Sequence, residues 1–222
     1  MRTLIVGAGG VGGNLAARLA AAYAGKHEIW LLARGAHATR IRKSGLELRL
    51  PTRTVIGHPT VIEHLPNVLG VELVILAVKE PALNDLLPQL ANMLGPGTWV
   101  LPLLNGLPRA DALSQQLLTA CVFEACIYVA SCRVQLGAIE QQSSFCRIAL
   151  QGMFKSAQNA EAVVCSFLEG GGVTCTVSPS IVEEMWTKYL FACSMAGVTS
   201  LYQRTFGEVL DDPTHVTCSS RV

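Results

Sequence analysis

The chain has 222 residues, half of them apolar and only 15% charged, with 17 basic against 16 acidic side chains and a net charge of +1. Low hydrophobicity with high net charge is the signature of disorder, so this composition excludes a disordered chain. The even charge balance argues against nucleic acid or an anionic membrane surface as the main partner, and the length allows one or two domains.

The eight cysteines are Cys121, Cys126, Cys132, Cys146, Cys165, Cys175, Cys193 and Cys218. No two have the C-x-x-C spacing of a zinc or redox site, and the histidines do not cluster near them. Most lie in apolar runs, where a thiol acts as a small hydrophobe. They are read as reduced thiols of a cytoplasmic protein, with no metal site.

The short apolar run Arg2–Val6, ending at a glycine, predicts a buried strand, and the Ala/Leu-rich Val11–Tyr23 predicts a helix. This start has the faint outline of a signal peptide, but Gly7, Gly10, Gly12 and Gly13 do not suit its apolar segment. Glu28–Ala33 reads as a second strand, with short extended pieces near Leu46–Leu50 and Thr54–Ile56. Val71–Val78 is the strongest strand signal. Pro81 suits a first helical turn and opens a helix to about Leu94. Thr98–Leu104 is another buried strand. Leu86–Pro108 is uncharged and long enough to span a bilayer, but Pro88, Gly95-Pro96-Gly97 and Pro102 break it into helix, turn and strand.

Cys121–Leu150 then reads as two or three longer strands with a turn at Leu136-Gly137. Lys155–Leu168 is helical, Gly170-Gly171-Gly172 ends it, and Val173–Val177 is a last strand. Ile181–Tyr202 reads as one long helix, apolar nearly all round, which needs packing on several sides. The tail ending in Cys218-Ser219-Ser220-Arg221-Val222 has no core-forming pattern. Strands alternating with helices predict a doubly wound, mainly parallel Rossmann-like α/β sheet with an antiparallel extension. The start of an all-helical second domain follows. The expected division is 1–178 and 179–222.

Between the first strand and helix lies Gly7-Ala8-Gly9-Gly10-Val11-Gly12, a G-x-G-x-x-G. Gly7 permits the tight turn, Gly9 admits a pyrophosphate, and Gly12 lets the helix pack closely. The phosphates then meet the helix N-terminus. At the end of the second strand stands Arg34, followed by Arg40, Arg42 and Lys43. An arginine there suits the 2′-phosphate of NADP, whereas an NAD site usually carries an acid. Glu28 lies at the opposite end of that strand, and a solvated basic loop is the plainer alternative. Lys79 and Asn105 follow two further strands, so they share the carboxyl edge with Gly7 and Arg34, where ligands bind in open α/β sheets.

Lys188 lies within the long helix, with Ile181, Met185, Phe191, Ala192 and Met195 on its side of the wheel. Desolvation there lowers a lysine pKa and suits it to acid–base work. An exposed pair with Glu184 is the alternative.

Taken together, GAGGVGG, LLARG, LAVKEPAL, LLNGLP and MWTKYLFACSMAGVTSL resemble the ketopantoate reductase (2-dehydropantoate 2-reductase) family across nearly the whole chain. The resemblance implies NADPH-dependent reduction of 2-dehydropantoate on the way to pantothenate and coenzyme A. It makes Gly7, Ala8, Gly9, Gly10, Val11, Gly12, Arg34, Lys79 and Asn105 the cofactor residues. Lys188 becomes the general acid, and Asn105 joins it in the catalytic cleft. Family chains continue beyond this one, so an incomplete helical substrate domain is expected. Where the family commonly has asparagines one and two turns after the lysine, this chain has Ala192 and Ala196. Two alternatives follow: a truncated, non-catalytic NADP-binding member, and a reductase of another small 2-keto acid. A closed cleft at Lys188 would favour catalysis. An apolar flank left exposed on Ile181–Tyr202 would favour the truncated reading, with a homodimer as one way to cover it.

Overall fold

The structure is a computed structural model and describes residues 1–65, 70–153 and 155–211; the tail Cys218–Val222 lies outside the described residues. An eight-stranded sheet forms the centre. In spatial order its strands are β12 (Thr174–Val177), β11 (Arg147–Gly152), β8 (Cys121–Tyr128), β7 (Trp99–Pro102), β6 (Leu73–Leu76), β1 (Arg2–Val6), β2 (Glu28–Leu32) and β5 (Thr60–Ile62). Every neighbouring pair is parallel except β8 with β11, so β11 and β12 run against the rest as the expected antiparallel extension.

Both faces of this sheet are buried, as the apolar runs require. In β6, Leu73 and Ile75 join one core cluster while Val74 and Leu76 join the other. The first cluster includes residues of α1 (Gly10–Ala22) and α5 (Lys155–Gly170), and the second those of α3 (Glu80–Met93) and α4 (Ala110–Gln116).

Two expectations change. The hairpin at Leu136-Gly137 forms, with Gly137 at φ +77°, but its strands β9 (Ser131–Gln135) and β10 (Ala138–Gln141) leave the main sheet. They join β3 (Leu46–Arg49) and β4 (Thr54–Gly57) in a second sheet of order β4-β3-β10-β9. Pairing of segments some ninety residues apart leaves no local signature. The helix expected from Pro81 to about Leu94 forms as α3 and runs through Pro88, because buried Leu83, Leu86, Leu87, Leu90 and Met93 hold it on the sheet despite the lost hydrogen bond. The basic residues after Arg34 lie on a helix, α2 (Gly35–Ser44), buried through His37, Ala38 and Ile41, and not in a loop.

α4 begins at a buried carboxylate. Glu124 on β8 is 2% exposed and accepts hydrogen bonds from the Arg109 amide at 3.0 Å and the Ala110 amide at 2.8 Å. Burial pushes its carboxyl above the usual range, and the two amides oppose that. Glu124→Ala should strand both N–H groups and cost about 1–3 kcal/mol. Thermal melting checks this, at roughly 2–4 °C per kcal/mol.

After β12 the chain enters α6 (Ile181–Tyr202) and the short α7 (Phe206–Leu210). Ile181 and Met185 bury against Cys126 and Ala149 of the sheet. The opposite flank is open, as the truncated reading expects and as a homodimer would cover: Trp186, Leu190, Phe191 and Leu201 are exposed. Phe191 therefore does not share the Lys188 face, and stacks edge-on with Phe206 of α7 instead. Among the described residues no helix is long and apolar enough to cross a membrane.

Candidate active site

Parallel strands deliver the chain to one edge. Gly7 follows β1, Arg34 follows β2, Lys79 follows β6 and Asn105 follows β7. Three adjoining cavities run along that edge. The first, about 420 Å³, is lined by Gly7, Ala8, Gly9, Arg34, His37, Lys79 and Arg133, among others. It shares Gly9, Ala77, Val78 and Lys79 with the second, about 370 Å³, which adds Gly10, Val11, Asn105 and Ser131. The second shares Leu104 and Asn105 with the third, about 310 Å³, which contains Lys188.

The glycine turn shows why each glycine is there. Gly7 has φ +110°, in the left-handed region, and a side chain there would meet the Ala77 carbonyl at 2.7 Å. At Gly12 a Cβ would run into the Gly7 carbonyl oxygen, so the helix packs against the turn only as glycine. Gly9 differs: a Cβ there meets nothing within 4 Å, because it would point into the open groove. Gly9→Ala should therefore fold normally yet block a dinucleotide. Gly12→Ala should also destabilise the fold, by about 1–3 kcal/mol. Melting curves beside a nucleotide titration separate the two.

Two groove residues were not found from the sequence. His37 bridges the turn to the small sheet: its Nε2 lies 3.1 Å from the Ala8 carbonyl oxygen, and its Nδ1 accepts from the Gly137 amide at 3.0 Å. The acceptor role of Nδ1 leaves the proton on Nε2, which donates to Ala8. Burial, with Arg133 nearby, lowers the imidazole pKa and favours this neutral form. Arg133 reaches the same cavity from β9. Its separation from Arg34 in sequence hid it, since β9 was assigned to the main sheet. Of the cations after β2, Arg42 pairs with Glu63 at 2.8 Å and Arg40 packs beneath Gly137, whereas Arg34 lines the groove. Glu63 also accepts from the Gly35 amide at 3.2 Å.

Lys188 sits where groove and third cavity meet. Its Nζ donates to Asn105 Oδ1 at 2.9 Å and to the Ile127 carbonyl at 2.6 Å, and lies 5.6 Å from the Tyr128 ring centre. Burial pushes its ammonium below the ordinary lysine range. The Glu184 alternative fails because that carboxylate is taken by Arg147 at 3.0 Å, and Arg147 lies over the Tyr128 ring. Tyr128 stays neutral, its phenol raised by burial to about 12. The arrangement thus holds a desolvated proton donor beside an amide, at the end of a groove whose turn presents helix N–H groups.

A family model described as ketopantoate reductase PanE/ApbA matches residues 3–151. A protein described as uncharacterized oxidoreductase YkpB from Bacillus subtilis is 26% identical over 211 residues, covering 95% of this chain and 68% of its own. The structure of 2-dehydropantoate 2-reductase from Porphyromonas gingivalis superposes with a TM-score of 0.85 at 24% identity, covering 96% of this chain and 76% of that one. That of D-mandelate dehydrogenase with NADH and anilino(oxo)acetate gives 0.82 at 19%, covering 97% and 69%; at these identities both show the fold. With the family model covering well over half of its length, the chain belongs to the ketopantoate reductase family.

Proposed function

We propose that the chain is an NADPH-dependent reductase of a 2-keto acid, with 2-dehydropantoate as the reference substrate. The observation that carries this reading is the Lys188 ammonium, desolvated and fixed by Asn105 and Ile127 where the groove meets the third cavity. The groove fits a dinucleotide: Gly9 leaves room for a pyrophosphate at the start of α1, and Arg34 with Arg133 suits a 2′-phosphate. Gly7, Ala8, Gly10, Val11 and Gly12 shape that cradle, and Lys79 and Asn105 border its inner end. Residues 1–178 form the nucleotide domain in this reading and 179–222 the start of the substrate domain, in a cytoplasmic, homodimeric protein.

A bound nicotinamide would supply a hydride to the keto carbon. Negative charge would then grow on the keto oxygen. Lys188 stabilises it electrostatically and donates the proton that completes the hydroxyl. Asn105 Oδ1 and the Ile127 carbonyl hold the ammonium in place, and the lowered pKa eases proton release. The D-mandelate dehydrogenase structure, which holds NADH rather than NADPH, supports a nicotinamide on this fold.

Titration with NADPH and with NADH, followed by nicotinamide fluorescence, tests the reading when 2-dehydropantoate is added last. NADPH-selective binding and loss of fluorescence on addition are expected. Binding without oxidation of any 2-keto acid would support the non-catalytic alternative, and absence of binding would remove the nucleotide site.

A further inference from the structure

Independently of the reductase reading, we infer that Cys165 and Cys175 form an oxidation site, where a small uncharged peroxide converts the two thiols into a disulfide tying α5 to β12. Cys165 lies on α5 and Cys175 on β12, and their Sγ atoms face each other at 2.7 Å. An approach of less than an ångström brings them to the ~2.05 Å of a disulfide bond. The corner between them is fixed. Gly172 has φ +76°, the Val173 amide donates to the Leu168 carbonyl at 3.2 Å, and the Gly172 amide donates to the Glu169 carbonyl at 2.8 Å. That is the pairing that ends a helix at a left-handed glycine, and buried Leu168 and Val173 join the same core cluster beside it. The turn folds the strand back on the helix and so brings together two cysteines ten residues apart.

The pair is also chemically unequal. A hydrogen bond from the Cys175 thiol holds Cys165 below the ordinary thiol range and pushes Cys175 above it, so Cys165 is the attacking sulfur. Its thiolate attacks one peroxide oxygen, the O–O bond breaks, and hydroxide leaves Cys165 as the sulfenic acid. The Cys175 sulfur then attacks the Cys165 sulfur, the S–O bond breaks, and water departs with the Cys175 proton. Two electrons pass from the thiols to the peroxide, and its oxygens end as two waters. Cys165 and Cys175 are 8% and 6% exposed, and β12 is an outer strand of the sheet, so the pair lies just beneath the sheet edge, within reach of a molecule as small as hydrogen peroxide. Other buried thiols lack this activation: burial pushes Cys146 up to about 11, and it raises Cys126 as well.

Peptide mapping tests the assignment. The native protein is treated with hydrogen peroxide, the remaining thiols are alkylated in denaturant, and the tryptic peptide 156–188 is weighed, which holds these two cysteines and no other. The peptide is expected to be unalkylated, lighter than the dithiol by two hydrogen atoms, and restored by dithiothreitol. Further cleavage after Glu169, which lies between the two cysteines, should leave its halves joined. Cys175→Ser should stop at the Cys165 sulfenic acid, trapped by dimedone, whereas Cys165→Ser should leave Cys175 reduced. Two alkylated thiols in the treated wild-type peptide, a bridge from either residue to another cysteine, or oxidation of Cys175 in Cys165→Ser would overturn the inference. The wild-type map needs no substitution, so it decides the matter even where a variant fails to fold.

Discussion

Lys188→Met is expected to lower the turnover of 2-keto acid reduction by about 10²–10⁴-fold, the usual worth of a positioned proton donor, with NADPH affinity unchanged. The methionine keeps most of the stem, so the change removes the charge and the two hydrogen bonds. Ile127 would lose its 2.6 Å donor, so melting must accompany the kinetics to separate folding from chemistry. A loss of kcat and kcat/KM together, in a protein that still binds NADPH, identifies an interaction made in the transition state.

The pH profile offers an independent check. Reduction needs the protonated ammonium, and burial holds the Lys188 pKa below its ordinary value of 10.5. The kcat/KM for reduction should therefore be level on the acid side and fall as pH rises through that lowered pKa, before the ordinary lysine range is reached. Oxidation of the 2-hydroxy acid needs the neutral amine and should rise through the same pKa. In Lys188→Met both limbs should vanish. An unchanged profile in the variant would assign the proton to another group.

Loss of NADPH preference is the second expected result. Arg34→Ala and Arg133→Ala should each weaken NADPH binding by about ten- to a hundredfold, from the roughly 1.5–3 kcal/mol of a hydrogen bond to a charged group. NADH binding should hardly change, because it lacks the 2′-phosphate. Arg34 enters from the loop after β2 and Arg133 from β9 of the small sheet, so the two approach the same cavity on separate supports. The double variant should then fall short of additivity only if both touch the same phosphate. Fluorescence titration at fixed ionic strength measures all of these. Equal losses for NADPH and NADH would move both arginines from the 2′-phosphate to the pyrophosphate or to the fold.

Parts of the fold were plain in the chain because their causes are local. A strand buried on both faces must be apolar along its length, so β1, β2, β6 and β7 were legible, and the Ile181–Tyr202 helix was legible to its ends. The helix over 206–210 was overlooked although its start carries a readable signal. Thr205 and Glu208 form a capping box, the Thr205 hydroxyl accepting from the Glu208 amide while the Glu208 carboxylate accepts from the Thr205 amide. The helix after Arg34 was harder to see, since its first residue is a glycine and only His37, Ala38 and Ile41 are buried.

The sequence by itself determined the doubly wound α/β class, the glycine turn, and the placing of Gly7, Arg34, Lys79 and Asn105 on one edge. These follow from strand polarity, because parallel strands must all end on the same side. Only the tertiary structure decided what those residues meet. Whether Lys188 pairs with Glu184 or with Asn105 depends on Arg147, which lies on another strand and takes the carboxylate. Whether β9 extends the main sheet or crosses to the glycine turn depends on its long-range pairing, and that choice brought Arg133 and the His37 bridge to the groove. Periodicity and propensity act over a few residues along the chain. Desolvation and charge pairing act through space, between groups that only the folded packing makes neighbours.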